Sequence, residues 1–254
     1  MNTIIDTYDI DREAIITPKQ VTAMSAGIKK LPEIAVATWS GHAIPVAIER
    51  FGAVQIDSFS AGMDYPVYAI EYMKKKLTFY FTPVGGASSA AILEEMIAKG
   101  VQKFVFYGSC GVLNRELTAK SLIIPTAAYR DEGTSYHYAP AGTYIDVRTA
   151  PRLAEILDEL KLPYVRGKTW TTDAFYRETR GIMEKRKADG CLTVEMECAS
   201  IMAAAQFRGI DCYQFIYAAD SLDDAEWDSR TLGKLTDDAR ENFLRVALEV
   251  AIRV

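Results

Sequence analysis

Short, almost wholly apolar runs alternate along this chain with longer stretches whose apolar positions recur at helical spacing. A sheet covered by helices on both faces produces that alternation, because a buried strand is apolar on two sides and a covering helix along one stripe. The runs 34–38, 53–56, 77–83, 103–107, 121–128, 164–170, 192–195 and 211–219 predict strands. Helical periods cover 44–51, 88–99, 151–160, 180–189, 196–208 and 237–250. Ser88 and Ser89 are placed to cap the second helix, and Gly100 and Gly209 fit the C-terminal stop of two helices. The first thirty residues read as an irregular arm, and 129–146 as a long loop rich in Gly, Tyr and Pro. Segments of that size commonly complete sites or interfaces. One α/β domain over residues 1–254 is expected.

The pattern also sets polar groups where predicted strands end. Val194-Glu195-Met196-Glu197 places two carboxylates and a thioether between an apolar strand and an apolar helix, and Asp220 closes the apolar run from Tyr213 to Ala219. Acids beside a methionine suit a site that grips a ribose diol, covers the sugar face and stabilises positive charge at the anomeric carbon. The same acids would also serve as favourable charges at a helix N-terminus, or as the cap of the next turn. Three small-residue turns are expected: residues 82–89 around Gly86, residues 107–111 around Ser109, and 170–173. Glycine there lets backbone N–H groups approach a ligand, and ligands of open α/β sheets gather at the carboxyl ends of strands. Trp170 could stack on a base or fill the core, while Phe175, Arg177 and Arg180 suit the edge of a heterocycle or a solvated helix start.

Composition narrows the partners. The chain has 254 residues, 49% of them hydrophobic, with a formal net charge of −5. Its basic residues gather into no run of five or more, which argues against nucleic acid and anionic membrane. No apolar stretch reaches the roughly 18 residues of a membrane span, and the opening residues lack a signal-peptide pattern, so a cytoplasmic protein is expected. Four cysteines without CxxC spacing and two distant histidines point away from a disulfide framework and a zinc site.

Taken together, these residues resemble the nucleoside phosphorylase family of purine nucleoside and uridine phosphorylases. The resemblance rests on Val194-Glu195-Met196-Glu197, on Phe104 to Gly111 with its Gly-Ser-Cys-Gly ending, on Arg130 to Tyr138, on Thr172-Asp173-Ala174-Phe175-Tyr176, and on the strand ending at Asp220. These are collinear over roughly residues 30–250. The resemblance implies a three-layer αβα sandwich with a mixed, distorted, barrel-like central sheet. It implies cleavage of an N-glycosidic bond by inorganic phosphate as cosubstrate, with no cofactor, in a homo-oligomer of dimers or hexamers. By position it implies Glu197 on the ribose hydroxyls with Glu195 nearby, Met196 on the sugar, Trp170 on the base and Asp220 as the acid that protonates the leaving purine. The loop from Arg130 looks more like uridine phosphorylase and Asp220 more like the purine enzymes, so the base is open.

The phosphate end departs from the family. Where it keeps arginines, this chain has Thr38-Trp39-Ser40-Gly41-His42-Ala43, Phe106 and, by a looser alignment, Met63. Gly86, Ser109 and His42 are left to hold the nucleophile, without the bidentate bonds of a guanidinium. Water is therefore a rival nucleophile, and a non-catalytic nucleoside binder is a second class of function. The retained acids argue against the binder, because a ribose grip plus a leaving-group acid exceeds what binding requires.

Overall fold

The computed structural model describes residues 4–11, 13–24, 30–60, 63–118, 122–224 and 226–254. Their strands are β1 (Ile34–Thr38), β2 (Val54–Ser60), β3 (Asp64–Tyr72), β4 (Lys75–Phe81), β5 (Lys103–Val112), β6 (Leu122–Asp131), β7 (Tyr144–Asp146), β8 (Tyr164–Thr172), β9 (Cys191–Glu195) and β10 (Asp211–Ser221). Their helices are α1 (Pro18–Met24), α2 (Ala43–Phe51), α3 (Gly86–Ala98), α4 (Arg115–Thr118), α5 (Ser135–Tyr138), α6 (Ala150–Glu159), α7 (Arg180–Ala188), α8 (Cys198–Arg208) and α9 (Asp237–Ala251).

The strands form one mixed sheet in the order β10-β6-β8-β9-β5-β1-β4-β3-β2, and β10 also pairs with β5. That extra pairing closes β5, β10, β6, β8 and β9 into a barrel, from which β1, β4, β3 and β2 extend. Helices α2, α6 and α9 pack together on one side, and α3, α5 and α8 on the other. The expected three-layer α/β architecture with a distorted, barrel-like sheet is what the chain adopts. Beneath the helices lies a continuous apolar core that includes Phe79, Phe104, Phe106, Phe215, Leu244 and Leu248. Among the described residues no helix is long and apolar enough to cross a membrane.

Several sequence expectations are corrected. β3 was not expected, although it pairs with β4 from Val67 to Tyr72. Its turn is Met73-Lys74, both at positive φ (48° and 66°). A two-residue hairpin turn normally announces itself with Asn-Gly or Asp-Gly, so bulky residues in that conformation conceal the hairpin. β7 was read as loop. α1 lies within the expected irregular arm, parts of which fall outside the described residues, as does Ser121 at the start of an expected strand.

The expected turn at 107–111 is not a turn: β5 runs straight through it to Val112. A side chain on Gly108 would bring a Cβ within 2.6 Å of Trp39 Cε3, so this glycine marks close packing of a ring on a strand. Neither Ser88 nor Ser89 caps α3, which begins at Gly86 behind Gly85 without a side-chain cap. Ser88 Oγ instead donates to the Gly85 carbonyl at 3.0 Å, and Ser89 Oγ accepts from Trp39 Nε1 at 2.9 Å. Helix α8 begins at Cys198, two residues later than expected.

Gly86 marks where α3 meets α8. A Cβ there would lie 2.8 Å from Ser200 Cβ and closer still to its Oγ. Ser200 has nowhere to turn, because its Oγ donates to Glu132 Oε2 at 2.5 Å. Gly86→Ala is expected to lower stability by about 1–3 kcal/mol, the usual range for overpacking. Urea unfolding checks this: an unchanged midpoint would show that the two helices separate freely.

Candidate active site

The strand directions explain where a site can form. β1, β4, β5 and β10 are linked by parallel pairings, as are β6, β8 and β9. The two sets meet antiparallel where β5 touches β9, through Gly111↔Val194 and Val112↔Thr193. Carboxyl ends from both sets therefore converge. A cavity of about 710 Å³ opens at this convergence, lined in part by Ser109, Glu195, Met196, Glu197, Asp220 and Trp39.

On one wall, Glu195 ends β9 and Glu197 stands at the N-cap of α8. Glu195 is committed to the fold. Its Oε2 accepts from the backbone N–H of Glu197 (2.8 Å) and of Cys198 (2.6 Å), and its Oε1 from Thr171 Oγ1 (2.6 Å). It thus caps α8 with a carboxylate, favourable at the positive end of a helix. Glu197 Oε1 accepts from Gly85 N–H at 2.6 Å. Both acids are buried, at 6% and 5% exposure, yet both line the cavity. Behind them, buried Glu132 takes hydrogen bonds from Ser200 Oγ, Ser135 N and Ser135 Oγ, and Arg130 Nε donates to Ser135 Oγ at 2.8 Å.

Asp220, which also lines the cavity, accepts from Trp227 Nε1 at 2.8 Å. Burial raises the Asp220 pKa, opposed by the Trp227 hydrogen bond and by Arg230. Glu178, also on the cavity wall, is pushed up to about 7 by burial and then by Asp220. This end therefore holds a carboxyl group that is readily protonated near neutral pH.

Of the residues singled out from sequence, Ser109, Glu195, Met196, Glu197, Asp220, Phe175 and Arg180 line the cavity. Four do not. Trp170 is only 1% exposed, packs with Leu113, Met183, Cys191 and Val194, and donates Nε1 to Asp131 Oδ2 at 2.9 Å. It is a core ring, packed among residues of β9 and against Met183 of α7. Arg177 is exposed in the short 3-10 turn Phe175–Arg177, off the cavity wall. His42 is exposed just before α2 and also lies off the wall. Gly86 is held against Ser200, and it is its neighbour Gly85 whose N–H reaches Glu197.

Sequence reading missed Trp39, Ser40, Glu178, Tyr217 and Trp227. Only Trp39 and Ser40 carried a signal, following directly on a predicted strand. The positions compared with arginines are filled otherwise: Phe106 is buried and stacks on Trp39 with ring centroids 5.3 Å apart, Ala43 is buried, and Met63 is 62% exposed. Among the described residues lining the cavity the one cation is Arg180, whose Nη2 donates to the Asp224 carbonyl at 3.0 Å.

Residues 33–252 match the family model described as the phosphorylase superfamily. The chain belongs to the phosphorylase superfamily. It is 28% identical over 193 residues to a guanosine phosphorylase of Halorubrum lacusprofundi, covering 71% of this chain and 79% of that one. It is 24% identical over 182 residues to the uridine phosphorylase of Escherichia coli, covering 61% and 72%. The fold is similar to that of a purine nucleoside phosphorylase from Toxoplasma gondii in complex with immucillin-H, with a TM-score of 0.73, 18% identity, and 88% and 92% of the two chains covered.

Within this phosphorylase-superfamily fold, the paired acids have a measurable consequence. Burial raises the pKa of both Glu195 and Glu197, and the charge of Glu195 raises Glu197 further. The folded protein therefore holds these protons more tightly than the unfolded chain. The resulting stabilisation is full below the unfolded Glu value, about 4.3, and is lost as pH rises through the raised folded-state values. The Tm of the unliganded protein is expected to fall from mildly acidic toward alkaline pH, and Glu197→Gln to flatten that slope. Thermal melts across this range test it; identical slopes for the two proteins would rule the pair out as the cause.

Proposed function

We propose that this chain cleaves the N-glycosidic bond of a purine or pyrimidine nucleoside with inorganic phosphate, releasing the free base and ribose 1-phosphate. The observation that carries this is one cavity lined both by Glu197, anchored by the Gly85 N–H, and by Asp220. Glu197 accepts from the ribose hydroxyls, Met196 packs against the sugar, and the nearby negative charge stabilises the oxocarbenium-like state. As the bond from C1′ to nitrogen breaks, Asp220 gives its proton to the leaving base, and a phosphate oxygen bonds to C1′. Ser109 and Ser40 are the polar side chains offered to phosphate. Phe175 and Arg180 border the base. Relatives named guanosine, purine nucleoside and uridine phosphorylases support this reading.

The mechanism requires no cofactor. A cytoplasmic homo-oligomer belongs to the same proposal, supported by the edge strand β2, where Val54 is 64% exposed.

A second reading has one observation in its favour. No described cationic side chain except Arg180 lines the cavity, and four carboxyl groups do: Glu178, Glu195, Glu197 and Asp220. Such a site disfavours a phosphate dianion and leaves room for water as the nucleophile. A panel of purine and pyrimidine nucleosides, assayed for base release with and without phosphate, separates the two. Phosphorolysis predicts phosphate-dependent turnover and ribose 1-phosphate; equal rates without phosphate would establish hydrolysis.

A further inference from the structure

The chain has three tryptophans. The fold accounts for two, Trp170 in the core and Trp39 stacked on Phe106 with its N–H on Ser89. Trp227 is different: it is 61% exposed, yet held at both ends. Its Nε1 donates to Asp220 Oδ2, and its ring borders the cavity that Phe175 and Tyr176 also border.

The backbone around Trp227 is strapped in place. Ser221 and Asp228 exchange N–H···O bonds of 2.8 and 3.1 Å, and Thr231 N–H donates to the Ala219 carbonyl at 2.9 Å. Nearer the bend, Asp223 is bound by Lys187 and by the Arg115 N–H, and Asp224 by Arg115 at 2.6 Å. These ties join the strap to the start of α4 and the end of α7. The indole is thus fixed at the rim, with much of its apolar surface in water. Asp220 Oδ1 is directed elsewhere, 3.5 Å from where a Cβ on Gly111 would stand.

We infer that Trp227 is a specificity-determining and positioning residue: its ring covers one face of a planar heterocyclic base, and its N–H holds Asp220 Oδ2 so that Oδ1 meets the base. The inference rests on the nucleoside-cleaving reading. It supplies the aromatic plane that Trp170, buried in the core, does not. The groups electrostatically coupled to Asp220 are Arg230 and Asp228 on the strap, Cys110 on β5 and Glu178 after β8. Trp227 is the side chain that donates a hydrogen bond to its carboxylate, so its loss alters Asp220 most directly.

Trp227→Phe keeps a ring and removes the N–H, whereas Trp227→Leu removes both. Titrating the wild type with hypoxanthine, adenine or uracil should change its tryptophan fluorescence, and Trp227→Phe should lose most of that change. Trp227→Leu should raise KM by about tenfold or more, as loss of base stacking does, while Trp227→Phe raises it less. With the N–H gone, Asp220 holds its proton to higher pH, so the alkaline limb of kcat should move upward in Trp227→Phe. A structural role alone would not move that limb. The position is exposed, so both variants should fold; Trp227→Tyr serves as a third probe, with ring but without the indole N–H. An unmoved limb in Trp227→Phe and an unchanged KM in Trp227→Leu would overturn the inference, as would wild-type fluorescence indifferent to all three bases. A wild type that turns over no nucleoside would instead remove the nucleoside-cleaving reading, and the fluorescence titration would still decide whether Trp227 covers a base.

Discussion

Asp220→Asn is expected to lower kcat for an ordinary purine nucleoside by roughly 10²–10⁴-fold, the usual contribution of a positioned acid. Asn keeps the size and can still accept the Trp227 N–H, but it carries no transferable proton. Burial keeps the Asp220 carboxyl protonated to higher pH than an ordinary aspartate, as an acid working near neutrality must be. The decisive comparison uses a 7-alkylated purine nucleoside, whose base leaves without being protonated. If Asp220 is the proton donor, the variant should lose little on that substrate while losing orders of magnitude on the unmodified one. Equal losses on both would mean that Asp220 binds the base and does not protonate it.

Glu197→Ala should be the second large effect. It deletes the carboxylate oxygen facing the cavity, and with it up to two charge-assisted hydrogen bonds to the ribose diol, each on the order of 1.5–3 kcal/mol. At about 1.4 kcal/mol per factor of ten, kcat/KM should fall by roughly 10²–10⁴. Stability should not follow activity down. Removing Glu197 relieves the repulsion that raises its own pKa beside Glu195, although it leaves the Gly85 N–H without its acceptor. At alkaline pH, where both acids are ionised, the variant should melt no lower than wild type. Comparing kcat/KM on a ribonucleoside and its 2′-deoxy analogue completes the test: the wild-type preference for the 2′-hydroxyl should shrink in the variant. A variant that keeps the preference would assign the diol to another residue.

Much of the site was legible because its residues stand beside strong local signals. Asp220 follows a buried apolar strand, and Glu195 to Glu197 fall between strand and helix, so a carboxylate at each was conspicuous. The difference between Glu195 and Glu197 was not. Both are acids in one short segment, and only the positions of Cys198 N, Thr171 Oγ1 and Gly85 N reveal that one closes a helix while the other holds the loop before α3. Trp170 misled for a similar reason. A tryptophan at a strand end has the same local sequence whether its face turns to a cleft or to the core.

The sequence by itself determined the alternation of strands and helices, the acids at the strand ends, and the family. The first two follow from periodicity and side-chain chemistry, which act over a few residues, and the family from the resemblance of its collinear motifs. Only the tertiary structure decided that β10 closes on β5, that Gly108 lies under the Trp39 ring, and that Trp227 reaches back to Asp220. Such features depend on pairings between distant segments. Barrel closure selects which face of each strand meets the cavity, and no local pattern records that choice.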